Sequence, residues 1–453
     1  MASTLPISTA LLAIFGLSPF VHGETLTVGQ SGSGADFDSV QEAVLSAQPG
    51  DVILVASGTY SGAIQIDKAL TILGAGSETT TLRAFPSGPA DIPLPLMVQN
   101  LGAGEEVRVG GLTLQSVGSG TETAAALTVD SCAGPVAVFD LVGVGGNTPD
   151  GPSSAVRVVN SAQVAIHDCA FEALPTSGDL PAIPALIVES SIVSVSNSRL
   201  EGGAGPPLVL SSIPNDGAPA LVMNDSTVRM ADSTLLGGAG VTSGIFGPPM
   251  TVTNGAAAIE ATGSTVFIRG RNSELIGGQG GVALIGGKSQ FGKGGSALLL
   301  DTLSNATATP LAILSPGANG DDIVTTPPIA GEGSFASVPV ELATLDIDDP
   351  IIELGTTGVL TAGGEPTSIY LTAFAFDQAA ETELAGILGP AVLPLDQFVL
   401  LGTSVLDAEG VATELLPIPT APALAGVSFV VQGLAIDEFG TLSLSAPVFA
   451  GLK

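Results

Sequence analysis

The chain repeats itself. "ALIVESSIVSVSNSRLEGGAG" (185–205), "ALVMNDSTVRMADSTLLGGAG" (220–240) and "AIEATGSTVFIRGRNSELIGGQG" (258–280) share one plan: apolar alternation, then Asp or Asn, then Ser, then Gly-Gly. Aligned on the Asp/Asn position, the column reads Asp140, Asp168, Asn197, Asp232 and Asn272, with spacings of 28, 29, 35 and 40 residues. Alternating apolar pairs precede each anchor, such as Val164 and Ile166 or Val228 and Met230. A large apolar residue, Phe171, Leu200, Leu235 or Leu275, follows three places on in the last four copies. Period-2 alternation in short runs is the pattern of a half-buried strand. A repeat of this length, growing only in its loops, builds a solenoid whose coils pair in parallel. About nine coils between Asp51 and Ser304 make a rod of about 40–45 Å at one strand spacing per coil.

The Asp/Asn column has two readings, chemistry or architecture. Asp and Asn tolerate the left-handed backbone best among non-glycine residues, and their side chains bond nearby backbone. A sharp bend between two strands of a coil calls for such a residue. Asn cannot act as a carboxylate base, so alternation of Asp with Asn favours a structural ladder of stacked bends.

Upstream of the rod, "ADFDSVQEAVLSAQPGD" reads as an amphipathic helix with Val40, Ala43, Val44 and Ala47 on one face. Asp38 is expected as N-cap, with Gln41 completing a capping-box variant, and Pro49-Gly50 ends it. Such a helix covers the open end of a solenoid.

Residues 26–82 then carry a resemblance. "LTVGQSGSGADFDSVQEAV", "PGDVILVASGTYSGAIQI", "KALTILGAG" and "TTTL" resemble the opening of the pectin lyase-like right-handed parallel β-helix superfamily, and within it pectin methylesterases. The resemblance implies an all-β, right-handed parallel β-helix. It is strong evidence for the fold and weak evidence for activity, because one fold hosts many functions; the esterase-like opening is what motivates an esterase or lyase as the alternative. The esterases use two aspartates, an Arg and a Gln-rich oxyanion region. Their Gln-Asp-Thr and Asp-Phe-Ile-Phe-Gly landmarks are missing, and Gly244-Ile245-Phe246-Gly247 echoes the second without its Asp. No catalytic residue carries over. Related lyases need calcium-binding acids and a basic residue; Arg269 and Arg271 are the nearest basic pair, read as outward-facing strand ends.

Charge narrows the partners. With 43 Asp plus Glu against 11 Lys plus Arg, the net charge is −32. That excludes a nucleic-acid partner, which needs a basic footprint, and opposes anionic membranes and polyuronates unless calcium bridges them. The same charge suits divalent cations, so the expected cofactor is none, with calcium as the one candidate. Neutral-sugar sites usually stack sugars on aromatic rings, and the chain has no Trp. His167 is expected to point to solvent, and no zinc or phosphate-loop pattern is present. The loops Asn147–Ser153 and Gly237–Pro249 are expected to form one contact face.

The expected domain plan is a signal peptide over 1–23 with cleavage before Glu24, a β-helix over 24–324, a linker over 325–339 and a small β-sandwich-like domain over 340–453. The first of these rests on the apolar run Leu11–Leu17; the last on alternating runs such as "SIYLTAFAF" and "VSFVVQGLAI". Asp346, Asp348 and Asp349 read as a solvated acidic turn, with calcium binding as the alternative. No later segment gives an uninterrupted apolar span long enough for a membrane. Cys132 and Cys169 fall at different points of their repeats and are expected to be free, partly buried thiols. The functional expectation is a secreted or cell-surface protein contacting polysaccharide or other surface components, either a non-catalytic scaffold or glycan-contacting module or, alternatively, a polysaccharide esterase or lyase.

Overall fold

The computed structural model describes residues 23–85, 94–116, 125–145, 154–173, 181–205, 216–241, 252–285, 288–395 and 397–453. The signal-like segment to residue 22 lies outside them, as do most of both loops expected to form a contact face.

Two all-parallel sheets, of 18 and nine strands, run the length of the first three-quarters of the chain. Together they make a parallel β-helix. Each coil enters through the nine-stranded sheet, bends, and crosses the larger sheet in two legs separated by a second bend. In one coil these strands are Leu186–Glu189, Ile192–Ser196 and Arg199–Glu201. The apolar pairs read from the sequence point inward, and Val164, Val193, Val228 and Val266 stack in register along one core row.

Every part of the repeat has a physical cause. Asp140, Asp168, Asn197 and Asp232 sit at the second bend with φ of 45° to 48°. The fifth expected member does not. Asn272 lacks the left-handed conformation, and Gly270, with φ 89°, lies opposite Asp232. Counted from Gly270, this copy carries two extra residues after the bend, since Leu275 follows five places on instead of three. The first bend has its own left-handed column, which the alignment missed: Asn100, Ser131, Asn160, Ser190, Asp225 and Gly263. Its mixed residue types hide it, since Ser stands where Asn is expected.

The Ser after each bend ties coil to coil. The backbone N–H groups of Ser161, Ser191, Ser226 and Ser264 donate to Oγ of Ser191, Ser226, Ser264 and Ser304 in the next coil at 2.9–3.2 Å. The hydroxyls of Ser161, Ser191, Ser226 and Ser264 donate to the carbonyl two residues back. A second ladder runs through Ser198 and Ser233. Both cysteines occupy positions in these ladders, Cys132 in the first and Cys169 in the second. They are free and buried, and burial pushes both thiols up.

The Gly-Gly pairs form a third device. After the second leg, the chain leaves the coil as an extended arm and returns as another. Arms of successive coils interleave: N–H groups of Ala218, Gly238, Ala256, Gly278 and Gly295 donate in turn to carbonyls of Gly203, Ala218, Gly238, Ala256 and Gly278 at 2.7–3.0 Å. The backbones lie so close that a Cβ on Gly278 falls 2.0 Å from the Gly238 carbonyl oxygen. Only glycine fits there.

At the open end, helix α1 (Val40–Ser46) buries Val40, Ala43 and Val44. Its N-cap is Ser39 rather than Asp38: Ser39 is extended and its side chain accepts from the Glu42 N–H. Gln41 closes no capping box; its Oε1 accepts from the Gln65 N–H. Helix geometry starts at Val40, the first residue the core needs, which shifts the cap by one place.

Residues 325–339 are not a free linker. Ile329–Gly331 and Ser334–Ser337 add the last rungs to the two sheets. Their strands are too short to show alternation beside "TTPP". Beyond them, a three-stranded antiparallel sheet (Thr344–Ile347, Thr357–Gly363, Val411–Pro417) faces a larger one containing Ile369–Ala375, Ser428–Ile436 and Val448–Leu452. Tyr370, Phe374, Phe429 and Leu416 fill the space between them. The other face of the larger sheet presses on the β-helix, where Val430, Phe449 and Ile351 meet Leu73, Ala137, Phe139 and Ala165. The Phe139 and Phe449 rings stack at 6.5 Å. Burial on both faces explains the almost unbroken apolar run in Ser428–Ile436.

Gly278→Ala is expected to destabilise the protein by ~3 kcal/mol, against no more than ~0.5 for Gly104→Ala, whose Cβ meets nothing within 4 Å; equal denaturation midpoints would contradict the close-packed arms. A thiol reagent is expected to leave the native protein unlabelled and to titrate both cysteines after denaturation; no thiol titrated after denaturation without reductant would reveal a bond between them.

Candidate functional site

The face of the long sheet that the C-terminal unit covers carries the polar groups that chemistry would need. Two outward-facing rows run along it. One row holds Arg108, Ala137, Ala165, Ser194 and Arg229 in register. The next holds Phe139, His167, Ser196, Ala231 and Arg269. Strand pleating points both rows away from the helix core and toward the C-terminal sheet.

His167 is therefore fully buried, not solvent-facing. Its Nδ1 lies 3.1 Å from Ser196 Oγ, and Nε2 has no partner. Burial pushes its pKa down to about 3, so it stays neutral. Arg269 is not a surface charge either. It is 7% exposed, donates to the Leu444 carbonyl, and burial, with Arg229 nearby, pushes its pKa down to about 10. Both expectations assumed a bare sheet face. Arg229 pairs with Glu381 and Glu383 across the interface. Gln163 bridges the units twice, donating to the Ala379 carbonyl and accepting from the Glu381 N–H.

The bend column runs along the edge of this interface. Asp140 accepts from the Ser77 hydroxyl at 2.6 Å and from its N–H. The Asn197 amide donates to Asp346. Asp232 accepts from the Asn272 N–H at 3.1 Å, so Asn272 supports the column without belonging to its bend. Burial raises the carboxyls of Asp140, Asp232 and Asp346. Asp168 is the extreme. Burial, then the charges of Asp140, Asp346 and Asp349, push it up to about 7. A carboxyl that titrates near neutrality beside other acids is the kind of group active sites use.

Asp346, Asp348 and Asp349 do not converge. Asp346 is half-buried against Asn197 rather than in a solvated turn, while Asp348 and Asp349 are exposed. Asp349 accepts from the Ile351 N–H. Among the described residues, no group of three or more His, Cys, Asp or Glu is placed to hold a metal ion. No helix among them is long and apolar enough to cross a membrane.

A cleft of about 360 Å³ opens where the N-terminal coils meet the C-terminal unit. Arg108, Glu106 and Gln163 line one side, and Phe376, Gln378 and Ser428 the other. Arg108 is 4% exposed. Its Nε donates to Glu106 at 2.6 Å and Nη1 to Ser428 Oγ at 3.0 Å. Nothing in the sequence near Arg108 marks this cleft, because half of it comes from residues some 270 or more positions away.

No family model matches this chain, and no curated protein matches it. Among solved structures, it is similar to the full-length tailspike protein 2 of Escherichia coli O157:H7 bacteriophage CAB120, at 10% identity over 95% of this chain and 69% of that one, with a TM-score of 0.32. The Azotobacter vinelandii mannuronan C-5 epimerase AlgE4 A-module is 12% identical over 66% of this chain and 90% of its own, TM-score 0.27. A polygalacturonase from Erwinia carotovora is 12% identical over 70% and 96%, TM-score 0.18. These likenesses concern the fold alone.

Asp168 supplies a pH test. Its folded pKa lies above its unfolded value, so its stabilising contribution is complete below about pH 4 and is lost as pH rises through about 7. Asp168→Asn keeps a residue that accepts the left-handed bend, as Asn197 does. The variant is expected to melt a few degrees above the wild type near pH 8 and level with it near pH 4; an offset independent of pH would contradict the buried-acid account.

Proposed function

We propose that this chain is a secreted or cell-surface β-helix protein that acts as a non-catalytic scaffold or glycan-contacting module. The observation that carries the reading is the covered sheet face. The outward rows of the long sheet's first leg, from Ala137 and Phe139 to Arg229 and Arg269, are packed under Val430, Phe449, Leu444 and the Arg229–Glu381 pair. The column of acids serves bends and inter-unit bonds. A polymer chain has no room to lie along the covered stretch between Arg108 and Arg229. The signal-like opening and the net charge of −32 support an extracellular setting. The charge disfavours polyuronates and nucleic acids and leaves neutral glycans as the compatible class. Calcium enters this reading as a bridge between the acidic protein and acidic polymers.

One observation favours the second reading, a polysaccharide esterase or lyase. Asp168 titrates near neutrality with Asp140 beside it, as a general acid would. Incubating the mature protein with methylated pectin and with polygalacturonate, with and without calcium, separates the two. The scaffold reading expects methanol release and unsaturated product no higher than in a heat-treated control. Activity above that control, abolished by Asp140→Asn or Asp168→Asn, would replace it with the second.

A further inference from the structure

We propose that the cleft between the N-terminal coils and the C-terminal unit is a binding site for a neutral, hydroxyl-rich ligand, a mono- or disaccharide unit, held by Arg108 and Gln378. The inference rests on the glycan-contacting reading and locates its site.

Two buried polar atoms carry it. Arg108 spends Nε on Glu106 and Nη1 on Ser428, and its Nη2 is buried with no partner. Gln378 is 9% exposed; its backbone N–H donates to Glu106, and its Oε1 is buried with no partner. Buried polar groups in folded proteins nearly always have partners. Here one orphan is a donor, the other an acceptor, and both residues line the same cleft. The hydroxyls of one ligand answer both needs, one accepting from Arg108 Nη2 and one donating to Gln378 Oε1.

Charge selects among hydroxyl-bearing ligands. Glu106 already neutralises Arg108 at 2.6 Å, and Asp377 and Glu105 also line the cleft. A carboxylate or phosphate therefore meets net negative potential, whereas a neutral sugar does not. The cleft's volume of about 360 Å³ is in the range of small-molecule sites. Phe376, which packs against the C-terminal core and edge-on to Phe374, adds apolar lining to the cleft.

The elements of the cleft belong to both units, so occupancy also couples them. Arg108 is on the β-helix, and Ser428 and Gln378 are on the unit that covers it.

The test is calorimetric and NMR titration of the mature protein with maltose, cellobiose, lactose and a mannose disaccharide, with digalacturonate as the anionic control. At least one neutral sugar is expected to bind, digalacturonate at least tenfold more weakly. Arg108→Lys, which keeps the charge beside Glu106, and Gln378→Leu are each expected to weaken binding at least tenfold. On the unaltered protein, the sugar should shift the Arg108 guanidinium resonances, which keeps the test sound if a variant fails to fold. Water alone in the cleft, with no sugar shifting those resonances, overturns the proposal. If a neutral glycan binds but neither variant weakens it, the cleft is wrong and the glycan-contacting reading survives. If no glycan binds at all, both fall.

Discussion

In-register parallel stacking is the constraint on which everything else rests. Each coil places its residues directly above their counterparts, as Val193 sits over Val164 and Val228 over Val193. Whatever a position needs in one coil, it needs in the next. A bend that calls for a left-handed residue calls for it again 28 to 38 residues later in this sequence. The same logic turns one serine hydroxyl into a ladder. A backbone N–H exposed by a left-handed residue, as at Ser161, finds Oγ of Ser191 in the next coil, and that hydroxyl passes its own hydrogen to the Glu189 carbonyl of its own coil. Each ladder position is satisfied from both sides, as buried polar groups must be.

Stacking also creates two problems, and the C-terminal part solves one of them. A long parallel sheet exposes one face, and parallel sheets are normally covered on both. The rows around Phe139 and Ala165 are apolar enough to demand a cover, and the larger C-terminal sheet supplies it. The cost is a set of charges taken out of water. Arg229 and Arg269 keep partners, and Asp168 rises toward neutrality. The other problem is the open end of the rod, which helix α1 closes with Val40, Ala43 and Val44.

Much of this was legible in the residues, for reasons that follow from periodicity. Alternation of period two survives any loop length, so the coils and the inward apolar rows could be read directly. The helix face Val40, Ala43 and Val44 follows in the same way from a period of 3.6. The insertion around Gly270 defeated the alignment because glycine serves the bend as well as Asp does and carries no side chain to recognise. His167 and Arg269 were misplaced for a different reason. Their orientation on the strand is outward, as alternation requires, but what lies outward is a sheet more than a hundred residues further on. The cleft at Arg108 was invisible for the same reason: its two halves meet only in the folded chain. Local pattern specifies the rod; the cover and the site depend on contacts that no local pattern encodes.

The C-terminal unit seals the outward rows of the long sheet's first leg, from Ala137 and Phe139 to Arg229 and Arg269. This seal is tested most directly by placing a reporter thiol under it. Cys132→Ser and Cys169→Ser give a cysteine-free background in which serine fits both ladders, as it does in neighbouring coils. In that background, Ala165→Cys puts a thiol in the covered row, where Ala165 is 4% exposed, and Ala162→Cys puts one at an exposed position of the same coil. Labelling of the native protein with a small maleimide is expected to be rapid at 162 and slower by about a hundredfold or more at 165, with equal rates after denaturation. Equal rates in the native protein would mean that the face is open, and the scaffold account would fail with it.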